Sequence, residues 1–272
     1  MTSKAQWSWI GACAIGTSHA REEAPCDDAG ACIEVRTPTG SALVAVVSDG
    51  AGSAKLSRYG SAIVARGFCQ AVATFLRAGG RVSAVDEARA RDWLDEIRDR
   101  INGRANVLGD MPRSFAATMV GAIIADDAAV VIHVGDGACA CRIEGETEWR
   151  VPSWPAQGEY AATTYFVTDD PEPRVNVVAL DGRIEEVAVF TDGMERLALD
   201  FSARVAFGRF FESMFPALRR TSEGRQRRLS MDLRNFLDSP QVTDRTEDDK
   251  TLVLARRIPR GVAASSATAR ID

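Results

Sequence analysis

Apolar runs of strand length recur along this chain, and three of them stop at the same dipeptide. Residues 42–48 run into Asp49-Gly50, residues 129–135 into Asp136-Gly137, and residues 187–191 into Asp192-Gly193. A fourth acidic cluster, Asp248-Asp249-Lys250-Thr251, opens a last apolar run at 252–255. A fold that buries these runs as neighbouring strands brings their terminal carboxylates together. Such a set of oxygen donors suits a hard divalent cation.

Between these runs the hydrophobic period alternates. Residues 7–15 read as a first strand, because they are too few for a membrane span and carry no clear cleavage site. Residues 16–30 are polar and turn-rich. Residues 31–37 and 42–48 read as paired strands about a Pro38-Thr39-Gly40 turn. From 56 to 77 the spacing is helical, with Ile63, Val64, Gly67, Phe68, Ala71, Val72 and Phe75 on one face and Gly79-Gly80 after it. A second helix is expected over 83–101, with Trp93, Leu94, Ile97 and Ile101 in its apolar stripe. Strands return at 115–124, 128–134 and 138–143, and residues 144–163 read as irregular. Further strands are expected at 164–168, 175–180 and 184–191, helices at 196–219 and 222–237, and a last strand at 251–257. That order departs from the alternation of a parallel doubly wound sheet and suits antiparallel sheets covered by helices. Residues 1–258 read as one domain and the small, polar residues 259–272 as a disordered tail.

Composition excludes less. With 46% hydrophobic and 26% charged residues the chain is an ordinary globular one, and a net charge of -5 argues against a nucleic-acid surface. The basic stretch from Arg219 to Arg228 lies on an amphipathic segment and reads as a solvated helix face. The six cysteines sit mostly in apolar segments without metal-knuckle spacing, which fits a reducing cytoplasm better than a disulfide scaffold. No stretch is long enough to cross a bilayer.

Asp-Gly is also the strongest short hairpin signal, since both residues tolerate positive φ. Asp181-Gly182, between two alternating strands, reads as a turn only. Asp136-Gly137 also joins two strands, so there a turn and a ligand role coexist. Asp49-Gly50 and Asp192-Gly193 precede longer helical or irregular segments, close no short hairpin, and are the leading ligand candidates. A glycine at this position also lets a backbone carbonyl approach an ion closely.

Six ordered motifs carry a family likeness. They are Pro25-Cys26-Asp27-Asp28-Ala29, Val47-Ser48-Asp49-Gly50-Ala51-Gly52, Ala117-Thr118-Met119, Val134-Gly135-Asp136-Gly137, Phe190-Thr191-Asp192-Gly193 and Asp248-Asp249-Lys250-Thr251. In this order and spacing the chain resembles the type-2C serine/threonine protein phosphatases over about residues 8–257. Ser18-His19, and the segment 158–161 followed by 164–168, are similar to a bacterial branch. The resemblance implies an α+β fold, a four-layer α-β-β-α sandwich of two antiparallel sheets flanked by helix pairs. It implies two divalent cations, Mn²⁺ or Mg²⁺. Asp49 would bridge them with the Gly50 carbonyl on one, and Asp192 and Asp248 would complete the other. Asp28 would hold water behind the ions, and Asp136 would serve a third, weaker cation. The implied reaction is hydrolysis of phosphoserine and phosphothreonine in proteins by a metal-activated water. The implied setting is cytoplasmic signalling opposite a serine/threonine kinase, with no nucleic-acid or membrane partner.

Three positions depart from the family pattern. Ala51 stands where many members carry a histidine proposed as general acid. His19, in the loop that also supplies Asp28, is the available substitute, whereas His133 lies in an apolar strand and reads as a packed core residue. Glu23 stands where an arginine commonly grips the substrate phosphate, and Arg21 is the nearest candidate for that task. Asp27 replaces the more usual amide or glutamate before Asp28. These departures keep open a pseudophosphatase that binds a phosphoprotein or kinase without turnover. A haloacid-dehalogenase-type reaction needs a second aspartate two residues after its nucleophile, and Ala51 and Met194 exclude it.

Overall fold

The computed structural model describes residues 6–38, 40–155 and 164–259. Strand β1 (Trp7–Ala14) is followed by a short helix, α1 (Thr17–Arg21), and by β2 (Ala29–Thr37) and β3 (Gly40–Ser48). Two long helices come next, α2 (Ser57–Arg77) and α3 (Glu87–Leu108). Then come β4 (Met119–Ile124), β5 (Ala129–Val134), β6 (Ala138–Ile143), β7 (Arg150–Ser153), β8 (Asn176–Leu180) and β9 (Ile184–Phe190). The chain continues through α4 (Glu195–Ala198), β10 (Leu199–Asp200), β11 (Val205–Ala206), α5 (Gly208–Leu218) and β12 (Gly224–Arg225). It ends with α6 (Arg227–Leu237), α7 (Pro240–Thr243) and β13 (Lys250–Arg257).

Two sheets carry the fold, one ordered β12-β1-β13-β9-β6-β7 and the other β2-β3-β4-β5-β8, with β10 and β11 forming a separate ribbon. The ladders are antiparallel apart from the short parallel pairing of β1 with β12. Strand β3 shows why the layers form. Its residues Leu43, Ala45 and Val47 pack between the sheets with Val120, Val131, Val189 and Val253. The alternate residues Val44 and Val46 pack with Phe68, Trp93 and Ile97 of α2 and α3. A strand covered on both faces therefore reads as a continuous apolar run. On the other side, Ile10, Phe190 and Leu254 meet Phe211 and Phe215 of α5 and Leu233 and Leu237 of α6. Three apolar layers thus separate four structural ones, as the α-β-β-α expectation requires.

Several element expectations need correction. The second long helix starts at Glu87, where Asp86 caps it by accepting from the Arg89 N–H at 2.9 Å, and it runs on to Leu108, where left-handed Gly109 ends it. Residues 112–115 form a 3-10 turn, so β4 begins only at Met119. Within the stretch expected to be irregular, β7 pairs with β6. Residues 164–168 form no strand. The helix expected over 196–219 is split by the β10–β11 ribbon. Asp200 there accepts from the Ala203 N–H at 2.9 Å and Arg204 adopts φ +51°, so local polar bonding overrides the apolar spacing. The helix expected over 222–237 starts at Arg227, after β12. The basic stretch is exposed as expected at Arg219, Arg220, Arg225, Arg227 and Arg228, and Arg219 also donates to buried Glu186 at 2.7 and 2.9 Å. The segment 158–161 and the tail from 260 onward lie outside the described residues.

Candidate metal centre

Both sheets deliver carboxylates to one cavity. Asp49 follows β3 and Asp136 leaves β5, both in the five-stranded sheet, while Asp192 follows β9 of the six-stranded sheet. One carboxylate oxygen from each lies within 4.8 Å of the others. The cavity, about 270 Å³, is also walled by Ser18, His19, Ser53, Thr164 and Asp248.

The separated motifs are tied to one another by hydrogen bonds. Thr118 holds Asp49 by its backbone: its Oγ1 accepts from the Asp49 N–H at 3.0 Å, and its own N–H donates to the Asp49 carbonyl at 2.8 Å. Thr191 Oγ1 donates to Asp28 at 2.8 Å and accepts from the Thr251 N–H at 2.9 Å, joining three motifs. Asp249, 5% exposed, accepts from the N–H groups of Gly16 at 2.6 Å and Asp27 at 2.5 Å and bonds His19 Nδ1 at 2.9 Å. The glycines after the aspartates are required by crowding. A Cβ at Gly193 would stand 2.0 Å from the Asp249 carbonyl oxygen, and one at Gly50 would stand 2.7 Å from that of Asp27.

Packing this many acids together disfavours their ionisation. Burial, aided by the charges of Asp28 and Asp192, raises Asp49 well above the ordinary carboxylate range. Burial likewise pushes Asp192 up to about 7, with added repulsion from Asp136 and Asp248. Asp28 is raised to about 6 by burial, which outweighs its polar neighbours Asp49, Thr251 and Thr191 that favour the charged form. Glu195, at the start of α4, is pushed up to about 8 by burial and by the charges of Asp192 and Asp136. Asp28 Oδ1, Asp136 Oδ1 and Glu195 Oε1 are buried without a hydrogen-bond partner. Among the described residues, no lysine or arginine lines the cavity. An all-oxygen, uncompensated acidic set fits hard divalent cations.

The sequence profile of protein phosphatase 2C matches residues 15–238. The chain belongs to the protein phosphatase 2C family. It is 34% identical to "Serine/threonine-protein phosphatase 3" of Escherichia coli (strain K12) over 254 residues, covering 92% of this chain and 98% of that one. Its fold is similar to that of PppA of Pseudomonas aeruginosa, described as a key regulatory component of T6SS, with a TM-score of 0.60 and 16% identity over 93% of this chain and 98% of that one. It is also similar to the catalytic domain of the serine threonine protein phosphatase PstP, crystallised with 2 manganese ions, with a TM-score of 0.56 and 14% identity over 94% of this chain and 100% of that one.

This phosphatase 2C chain brings most of the sequence-predicted residues together. Asp49, Gly50, Asp192, Asp248 and His19 all line the cavity, and Asp28 lies buried behind it, hydrogen-bonded to Thr191. Asp136 belongs to the tight three-carboxylate group, whereas Asp248 is exposed on the wall and outside that group. Arg21 is not brought to the cavity. Its side chain is 67% exposed and pairs with Glu247 at 3.4 Å. His133 is a packed core residue, with Nδ1 bonded to Ser153 Oγ at 2.7 Å, and burial lowers it to about 4. Sequence reasoning missed Asp249 as the anchor of His19, although the pair Asp248-Asp249 was in view. It also missed Glu195, for which the only signal is an acid three residues beyond a candidate ligand. Among the described residues no helix is long and apolar enough to cross a membrane.

Proposed function

We propose that this chain hydrolyses phosphoserine and phosphothreonine in proteins with divalent cations, Mg²⁺ or Mn²⁺. The observation that carries the reading is the convergence of Asp49, Asp136 and Asp192 within 4.8 Å at the ends of strands from both sheets. These residues and the Gly50 carbonyl would hold the ions, with Asp248 on the outer wall and Asp136 serving a third, weaker ion. Such ions, when bound, lower the pKa of water and neutralise charge on the phosphoryl group. Asp28 is buried behind Asp49 and orients water by accepting hydrogen bonds.

His19 takes the general-acid role in place of the family's histidine, for which this chain has Ala51. With Nδ1 engaged by Asp249, Nε2 is left to carry the proton that the departing serine or threonine alkoxide requires. His19 is raised above its ordinary value. Burial opposes its charge, but the hydrogen bond and charge of Asp249, with the charges of Asp27 and Glu22, outweigh that effect. The substrates are products of a serine/threonine kinase, and six free cysteines suit a reducing cytoplasm.

The test is phosphate release from a phosphothreonine peptide with Mn²⁺, with Mg²⁺ and after chelation, beside Asp192→Asn. Metal-dependent release that the variant loses supports the reading. Folded protein that binds Mn²⁺ and releases nothing would instead be a pseudophosphatase.

A further inference from the structure

Helices α2 and α3 leave a groove of about 430 Å³ on their outer side, away from the sheets. Its floor is apolar, formed by Ala62, Ile63 and Gly67. Gly67 lets the helices approach closely, since a Cβ there would stand 2.8 Å from Ile97 Cγ1. Three exposed arginines, Arg66, Arg100 and Arg104, rim this floor, and among the described residues no carboxylate lines it. In a chain of net charge -5 that is a local inversion of sign.

The pairing of the arginines sharpens the contrast. On α3, Arg89 pairs with Asp92, Arg91 with Glu87 and Glu172, and Arg98 with Asp95. Arg100 faces the groove and donates only to the neutral Gln70 Oε1, at 2.7 Å. Among the described residues neither Arg66 nor Arg104 forms an ion pair. On α2, Arg58, Ala62, Arg66 and Gln70 follow one another at four-residue spacing and so share a stripe. The groove is continuous in sequence with the acidic cavity. Gly50, Gly52 and Ser53 line that cavity, α2 starts at Ser57, and Tyr59 in its first turn, 53% exposed, already lines the groove. From Tyr59 to Gln70 the groove follows about 16 Å of helix, the reach of about five extended residues.

We infer that the α2–α3 groove docks an acidic segment of the phosphoprotein substrate, several residues away from the phosphorylated one. The inference rests on the phosphatase reading above and adds what selects the substrate. The cavity's carboxylates are matched by the cations and the phosphate they hold, so selection of the flanking sequence has to come from surface outside it. The unpaired guanidinium groups supply that attraction, and the apolar floor accepts the segment's apolar side chains.

Two phosphothreonine peptides, one with an acidic and one with a neutral flanking segment, test this on the full chain. They are compared for wild type and for the triple variant Arg66→Glu, Arg100→Glu, Arg104→Glu, with a triple alanine variant as a milder control for folding. Binding of a labelled acidic peptide without phosphate is followed by fluorescence anisotropy, and p-nitrophenyl phosphate, too small to reach the groove, reports the catalytic centre. The expected result is a kcat/KM preference of roughly tenfold for the acidic peptide, from three exposed charge pairs each worth a factor of about two. Both triple variants should lose that preference and the anisotropy signal, with p-nitrophenyl phosphate turnover unchanged. The preference should also shrink at high salt. Hydrolysis without an acidic preference in wild type overturns the docking inference while leaving the phosphatase reading intact. So does a preference that survives in the variants, or a self-associated chain that the variants disperse. Labelled peptide held by the three arginines, without metal-dependent hydrolysis, would retain the groove and overturn the phosphatase reading.

Discussion

Replacing Asp192 by asparagine should stabilise the metal-free protein while removing its activity. The substitution keeps the shape of the side chain and deletes one charge from a crowded acidic set. Burial and the charges of Asp136, Asp248 and Asp28 push Asp192 up to about 7 from 3.8. Each pKa unit corresponds to about 1.4 kcal/mol, so holding Asp192 ionised at pH 8 costs on the order of 4 kcal/mol. The sign follows from proton counting. Between about pH 4 and 7 the native state binds more protons than the unfolded chain, so metal-free wild type loses stability as pH rises through that window. Below it both states are protonated and the cost disappears. For a chain of this size 1 kcal/mol moves Tm by about 2–4 °C, so the variant should melt about 8–16 °C above wild type at pH 8 in chelator. At pH 5 the gap should fall to about a third of that. Mn²⁺ at a hundred times its Kd adds about 2.7 kcal/mol per ion to the protein that binds it, so two bound ions, about 5.4 kcal/mol together, should reverse the order. Calorimetry of both proteins at the two pH values, with chelator and with Mn²⁺, checks each step. A variant that melts at or below wild type in chelator at pH 8 would refute the claim that charge crowding dominates at this site.

Three further outcomes are expected. His19→Ala should lower kcat by about a hundredfold or more without moving Tm by more than a few degrees. In wild type, kcat should fall as pH rises through the His19 pKa, which lies above 6.5, and the variant should lose that limb of its pH–rate profile. Gly193→Ala should cost on the order of 3 kcal/mol, read from denaturant midpoints, because its Cβ would meet the Asp249 carbonyl at 2.0 Å and backbone must shift. His133→Ala should lower stability by about 2 kcal/mol, read from denaturant midpoints, from the emptied space and the lost Ser153 bond, and leave kcat of the folded fraction unchanged.

Elements packed on an apolar stripe were legible in the sequence, and elements held by polar bonds were not. Residues 56–77 read as a helix and form one from Ser57 to Arg77, because their apolar stripe packs on the five-stranded sheet. The expectation failed over 196–219, where an equally apolar spacing is interrupted by the Asp200 turn and by left-handed Arg204. Apolar periodicity has no entry for a side chain that caps its own backbone. At the site, residue types were readable and orientations were not. Arg21 and His19 lie two positions apart on α1, yet His19 reaches Asp249 and the cavity while Arg21 turns to Glu247. A short helix separates such neighbours by about 200° of rotation, and nothing in the residue names says which of them faces inward.

The four Asp-Gly pairs separate once their backbones are compared. Asp181-Gly182 was read as a plain turn, and Gly182 has the positive φ, +90°, that such a turn requires. Gly50, Gly137 and Gly193 are not left-handed, and each instead lies so close to backbone that a Cβ there would stand 2.7, 2.7 and 2.0 Å from a carbonyl oxygen. Nor does either strand-joining pair close a hairpin, since β5 to β6 and β8 to β9 both pass from the five-stranded sheet to the six-stranded one. The dipeptide therefore serves two physical ends in one chain. In the turn its glycine supplies a conformation, and in the carboxylate pairs it supplies the absence of a side chain, which lets loops from both sheets meet closely enough for Asp49, Asp136 and Asp192 to share a centre. An alanine at Gly182 would meet strain from its own φ, and an alanine at Gly193 would meet another loop, so only the second should lower metal affinity along with stability.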